Sequence, residues 1–294
     1  MAKGAKRTKF LAARVAVGET GQPIVYALLI GLSILFTFPF VWTVLTAFKA
    51  PYEIFMFPPK LFPSEFLWSN FVVVWQRAPF FTFLINTLIV AGLSIVGDIV
   101  TASLVAYGFA RFRFPGRSIL FLLVLSVLIL PEEVTIIAQF MIYRWMGWLD
   151  TLKPLILPAF LGGGAFNIFL LRQFFMTIPR DLDEAAMMDG AGTFRILWQI
   201  MIPLSKPAIA TVAIFSFLFH WNDFFRPLIF LNTTGKFTLS LGLRFFQTSV
   251  EQGGEPLVQL LMAASVMMTI PVIVLFFSLQ RYFIEGITMS GIKR

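Results

Sequence analysis

Stretches of roughly 20 or more apolar residues, almost free of charge, recur along the whole length of this chain. A hydrocarbon core about 30 Å thick is crossed by roughly 20 helical residues. Six stretches qualify, at roughly residues 24–48, 80–107, 118–142, 152–175, 207–231 and 257–283. Lipid offers no partner to an unpaired backbone N–H or C=O, and none of the stretches alternates as a barrel strand does, so each reads as a helix. Only 13% of the 294 residues are charged, against roughly 25% in soluble domains. The apolar excess is therefore the body of the protein. The expected fold is all-α, one polytopic membrane domain over residues 1–294 with six transmembrane helices.

Charge placement orients these spans, because lysine and arginine near span ends favour the cytoplasmic side. One side collects Lys3, Lys6, Arg7, Lys9 and Arg14, then Arg111, Arg113 and Arg117, then Arg172, Arg180, Arg195 and Lys206, and finally Arg281, Lys293 and Arg294. The other holds about half as many: Lys49, Lys60, Arg77, Arg144, Lys153, Lys236 and Arg244. Both termini are thus expected in the cytoplasm. The basic start precedes an apolar run longer than a signal peptide's core, with no small-residue cleavage site after it, and predicts an uncleaved first span. The net charge of +8 follows from this topology rather than from a nucleic-acid-binding face, since the basic residues flank apolar segments. The first external loop, about residues 49–79, is rich in proline and aromatics and reads as an interfacial belt.

Several chemistries are excluded. With no cysteine there is no disulfide or thiolate site, and a single histidine argues against a metal cluster. The chain has no Gly-x-Ser-x-Gly elbow, no His-Glu-x-x-His and no phosphate-cradling Gly-x-x-x-x-Gly-Lys. It is not expected to be an enzyme or to bind a cofactor.

The loop over residues 176–206, cytoplasmic by the charge count, carries the most informative motif. Its sequence predicts a helix of about two turns, with Asp181 as cap, Glu184 completing a capping box and Gly190 as a left-handed stop. Leu182, Ala185, Ala186 and Met188 lie among acids, giving an amphipathic unit too small to stand alone. It needs a surface to dock against.

Glu184-Ala185-Ala186, then Gly190, then Ile200-Met201-Ile202-Pro203 resemble the EAA loop of bacterial ATP-binding-cassette (ABC) import permeases, with Ile202 where leucine is usual. Further stretches resemble the carbohydrate-uptake permeases similar to the second maltose permease subunit. These are Asn86–Val90, Ala106–Arg117, Ile168–Phe175, Trp221–Phe230, Thr238–Leu243 and Gln280–Thr288. The resemblance implies the type I importer permease fold, with Asp181, Leu182, Glu184, Ala185, Ala186, Asp189, Gly190, Ala191, Gly192 and Pro203 forming a coupling element seated in a cytoplasmic ATPase. It also implies a second permease subunit in a heterodimer, two ATPase subunits holding ATP and magnesium, and an extracytoplasmic solute-binding protein delivering a sugar or related polyol.

Charges inside a membrane are costly and mark cavities, pairs or pathways. Asp98, Glu132 with Glu133, and Asp223 with Arg226 qualify. Asp223 and Arg226 can pair three residues apart, and Pro227 cannot donate to the Asp223 carbonyl, which predicts a kink. With His220, Trp221 and Asn222 they form the best intramembrane cluster. It has two readings: a translocation lining, with Trp221 stacking on a sugar, or a joint between helices. Gly162-Gly163-Gly164 predicts close helix packing or local unwinding. The last external loop, about residues 232–256, is expected to meet the binding protein, and the tail from Glu285 to contact the ATPases. An ion-coupled secondary transporter is the main rival class, but it leaves the EAA-like loop unexplained.

Overall fold

A computed structural model of the protein describes residues 22–247 and 257–291, with side chains over 23–247 and 257–280. In order, α1 (Gln22–Ala47) leads into a loop containing α2 (Pro51–Ile54) and α3 (Ser69–Arg77). Next come α4 (Phe80–Arg111), α5 (Arg117–Ser126) and α6 (Glu132–Trp145). After these, α7 (Lys153–Ile156) and a 3-10 turn (Leu157–Leu161) precede α8 (Ala165–Thr177). The next loop holds α9 (Asp181–Met188), α10 (Thr193–Ile196), a π-turn (Leu197–Met201) and α11 (Ile202–Leu204). The last third is α12 (Lys206–Asn222), α13 (Phe225–Phe230), α14 (Leu239–Gly242) and α15 (Val258–Gly291). The described residues contain no strand. Among the described residues four segments are long and apolar enough to cross a membrane, and the count rises to six if each of two bent helix pairs is one span. The basic N-terminal stretch, Gly253, Gly254, Lys293 and Arg294 lie outside the described residues.

The spine is α4. Its buried residues return every three or four positions: Phe83, Thr87, Ala91, Ser94, Asp98, Ala102 and Ala106. Most are small, which lets neighbouring backbones approach closely where lipid supplies no hydrophobic drive between helices. α8 and α12 pack on this face, burying Leu171, Phe175, Ala208 and Val212 with Ala102 and Ala106. A second cluster joins α12 to α15 through Trp221, Leu260, Ala263, Ala264 and Met268. Most of α1 is exposed, and only its last two residues, Thr46 and Ala47, are buried.

Two loops between spans are pinned by carboxylates, Glu53 buried and Asp150 partly so. Glu53 accepts hydrogen bonds from the N–H groups of Ala50 and Ser64, closing the first loop on itself. Phe48 gathers Phe66, Trp68 and Phe71 within 5.5 Å between ring centres. Asp150, at φ 54°, accepts from the N–H groups of Asn232 and Thr233 and pairs with Lys236 at 2.8 Å. The Lys236 ammonium, then the Thr233 hydroxyl, hold its carboxyl well below the usual carboxylate range.

Three spans depart from straight rods. The third, expected as one helix over about 118–142, bends by 101° between Ile129 and Glu132. Proline disfavours the helical region for the residue before it, and both Leu130 (ψ 120°) and Pro131 (ψ 139°) are extended. The fourth is opened at Gly162–Gly164, where Gly163 and Gly164 take φ of 64° and 73°. A β-carbon on Gly163 would fall on the Ala102 backbone N and within 2.6 Å of Thr101 Oγ1, so this triplet unwinds the helix and lets it touch α4. The fifth bends by 82° where it enters α12 and breaks again between Asn222 and Phe225. The kink expected at Pro227 is thus a full interruption. Pro227 lacks the donor that would continue the helix, and Asp223 turns extended at ψ 114°.

Candidate functional site

Two sites emerge, one in the loop between the fourth and fifth spans and one where the three interrupted spans meet. The first is built on α9. Its C-terminus is a Schellman stop: the Ala191 N–H donates to the Ala186 carbonyl at 2.9 Å and the Gly190 N–H to Met187 at 3.0 Å, with Gly190 at φ 79°. The expected N-terminus is corrected. Arg180, in helical conformation and without a side-chain cap, precedes the helix, while Asp181 is its first residue and Glu184 closes no capping box. A cap requires extended φ/ψ, which Asp181 inside the first turn cannot adopt. Asp181, Asp183 and Glu184 still place negative charge at the positive end of the helix.

The helix turns an unexpected face inward. Ala186 and Asp183 are buried, whereas Leu182, Met187 and Met188 are exposed, Met188 to 89%. Asp183 Oδ2 meets Arg111 Nε at 2.6 Å, with both side chains 7% exposed. Arg111 also donates from Nη2 to the Ile178 carbonyl, tying the end of α4 to the strut leading into α9. Burial pushes the Asp183 carboxyl up, and the Arg111 guanidinium pulls it back. Sequence reading had not singled out Asp183. Glu184, Ala185, Asp189, Gly192 and Pro203 are all exposed, and Ala191 packs partly against the buried cluster. The segment therefore presents an apolar and acidic outer surface on a buried ionic joint.

The second site is a cavity of about 660 Å³ reached by Asp98, Asn167, Ser216, Phe219, His220 and Arg226. All three span interruptions border it. Leu128 precedes the Pro131 bend, Gly164 belongs to the glycine break and Arg226 follows the break in the fifth span. Irregular backbone at membrane depth is tolerated where it is buried in protein or lines a cavity. Ser216 donates to Asp98 at 2.6 Å, and His220 Nε2 stands 3.5 Å from the same carboxylate. Arg226 pairs with Asp223 at 2.8 Å and with Glu132 at 3.2 Å, and lies over the Phe219 ring. Asp223 also accepts from the Arg226 N–H, restarting the helix after the break. His220 Nδ1 and Arg226 Nη2 are buried without a hydrogen-bond partner among the described residues.

The expected cluster is thus divided. Glu132, Asp223 and Arg226 come together, joined through the cavity to Asp98 and His220. Glu133 is exposed, and Asn222 is exposed with its side chain donating to Leu218. Trp221 does not face the cavity: it is 1% exposed, stacks on Phe217 and donates to the Met268 carbonyl at 3.1 Å. Its role is the joint between α12 and α15, because the helix turn that points His220 at Asp98 points Trp221 the other way.

The family profile described as binding-protein-dependent transport system inner membrane component matches residues 99–288, which contain α9 and every cavity residue named above except Asp98. The chain is 34% identical over 270 residues to the sn-glycerol-3-phosphate transport system permease protein UgpE of Yersinia enterocolitica, covering 90% of this chain and 94% of that one. It is 32% identical over 259 residues to the arabinooligosaccharides transport system permease protein AraQ of Halalkalibacterium halodurans, covering 87% and 91%. Among solved structures, a chain of a bacterial ABC transporter involved in the import of the acidic polysaccharide alginate superposes with a TM-score of 0.77 at 26% identity, over 89% of this chain and 96% of that one. The chain belongs to the binding-protein-dependent transport system inner membrane components, the multi-pass permease subunits of ABC importers.

Proposed function

We propose that the chain is one of two permease subunits in an ATP-driven importer for an uncharged sugar or oligosaccharide. Its partners are a second permease subunit, two ATPase subunits that bind ATP and magnesium, and an extracytoplasmic solute-binding protein. It sits in the bacterial inner membrane with both termini cytoplasmic. The observation that carries this reading is α9: a short helix with a defined stop, an exposed apolar surface at Leu182, Met187 and Met188, and a buried ion pair to the end of a span. Such a helix gains its stability by docking, and the Arg111–Asp183 joint passes its displacement to α4 as a rigid body. Closure of the ATPase dimer would then rock the helices around the cavity and alternate its access.

The solute follows from the charge of the cavity. Among the described residues Arg226 is the one Lys or Arg lining it, and that guanidinium already engages two carboxylates. Asp98 adds a third carboxylate nearby. An entering phosphate or uronate would face this excess without a free cation among the described residues, whereas hydroxyls can meet the polar side chains of Asn167 and Ser216 in the lining. Phe166 and Phe219 supply the flat apolar faces that suit a sugar ring. Of the two relatives named above, AraQ, named for arabinooligosaccharides, has the solute chemistry that fits.

The test is uptake into proteoliposomes holding the complete complex and its binding protein. Uptake should require ATP, ignore proton and sodium gradients, and favour neutral oligosaccharides over glycerol phosphates and uronates. Glu184→Lys and Gly190→Pro should abolish uptake and weaken ATPase association while the chain still inserts. Uptake driven by an ion gradient without ATPase subunits would establish the rival class.

A further inference from the structure

At the opposite end of α4 from the external loops lies a second concavity, of about 340 Å³, which the transport reading does not use. Its walls are the end of α4, the start of α5 and the end of α8. Phe109 and Met176 supply its apolar part, and Arg111, Arg117, Arg172 and Arg180 its charge. Of these, Arg111 is committed to Asp183. Arg117 donates to the Phe112 carbonyl at 3.0 Å, and Arg172 donates to the Phe109 carbonyl at 3.3 Å while lying over the Phe121 ring. Neither Arg117 nor Arg172 forms an ion pair among the described residues.

Two half-buried guanidiniums, aimed into one pocket by backbone carbonyls and without a counter-anion, repel each other. Neutral acceptors fix their direction but leave their charge unbalanced. Guanidinium is the group best matched to phosphate oxygens, in geometry as well as charge. The pocket also opens at the ends of three spans, on the side where basic residues are concentrated, which is the depth of phospholipid headgroups. From its rim, Ile119, Leu122 and Leu123 run along α5 as an exposed apolar strip. A free phosphate would gain nothing from that strip. Acyl chains would lie along it.

We propose that this pocket binds the phosphate of an anionic phospholipid, with Arg117 and Arg172 as its ligands and the acyl chains along α5. The lipid would fill the corner between the second, third and fourth spans, beside the strut from Ile178 to Arg180 that carries α9.

The experiment is native mass spectrometry of the delipidated complete transporter, titrated with phosphatidylglycerol, with phosphatidylcholine or with inorganic phosphate. Phosphatidylglycerol should be retained over phosphatidylcholine. The double variant R117Q/R172Q should lose about tenfold in that retention, from roughly a fewfold per guanidinium. Arg113→Gln, outside the pocket, should change nothing. Wild-type protein in phosphatidylglycerol nanodiscs should also show slower amide exchange over residues 112–118 than in phosphatidylcholine, a readout that needs no variant to fold. Equal retention of the two lipids, or unchanged exchange, would overturn the proposal. Arginine-dependent binding of inorganic phosphate without phosphatidylglycerol binding would overturn the lipid assignment. Because none of these readouts involves uptake, they stand apart from the test of solute transport.

Discussion

Arg111 and Asp183 meet at 2.6 Å in a site where each side chain is 7% exposed, joining the last residue of the second span to the short helix α9. Removing two charges from water costs several kcal/mol per ion, so such a pair is better understood as fixing one geometry than as adding net stability. Taking away one partner leaves the other charge buried alone.

Asp183→Asn is therefore expected to destabilise the detergent-solubilised protein by about 3–5 kcal/mol and to reduce ATP-driven uptake strongly. Arg111→Met with Asp183→Leu should recover much of the stability, because no unpaired charge remains, but not the uptake, because the directional joint is gone. Thermal denaturation and proteoliposome uptake on the same preparations separate the two effects. A single variant with wild-type stability and uptake would show that the pair carries no load.

Two of the glycines with positive φ, Gly190 and Gly163, should respond unequally to alanine. Around Gly190 there is nothing within 4 Å of a built β-carbon, so Gly190→Ala carries only the backbone cost of about 1–2 kcal/mol. Gly163→Ala adds a collision with the Ala102 backbone and forces α8 from α4, so it should cost more and lower the yield of folded protein. Denaturation midpoints in detergent would give the order. Equal midpoints would mean that the α4–α8 contact at Gly163 is not close.

Much of this architecture was legible because membrane spans are long and their apolar runs unambiguous. Gly190 announced the end of α9, since glycine reaches φ 79° without strain. The inward face of α9 was not legible. In a two-turn helix alternating acids with apolar residues, either Leu182 with Met188 or Asp183 with Ala186 could face the core. What decides is Arg111, far away in sequence, and an arginine closing an apolar span was the one available hint. Trp221 and His220 pose the same difficulty, because α12 is apolar on every side and its sequence does not say which neighbour faces Asp98. The bend at Pro131 was not expected from the sequence, and its 101° comes from two successive extended residues, Leu130 and Pro131, rather than from the proline alone.

Glu53 predicts a pH dependence of the loop between α1 and α4. Hydrogen bonds from Ser64, then from the Ala50 N–H, with Lys60 nearby, hold its carboxyl below the ordinary value of 4.5 in spite of burial. A carboxyl that is more acidic in the folded state contributes stability that is complete above about pH 4.5 and fades as the pH falls through the folded value. Melting temperature should therefore drop from pH 6 toward pH 3, and Glu53→Gln should flatten that drop while lowering the neutral plateau. The same slope in the variant would assign the acid sensitivity to other groups.

The central claim is that α9 docks on an ATP-hydrolysing partner at the cytoplasmic face. The chain contains no cysteine, so single replacements report cleanly. Met188→Cys, at a site 89% exposed, should crosslink to an ATPase subunit, and its yield should change with nucleotide, whereas Ala186→Cys, at a site 9% exposed, should react poorly. Labelling of Met188→Cys by a membrane-impermeant reagent added outside intact cells, with no crosslink to an ATPase, would contradict the account.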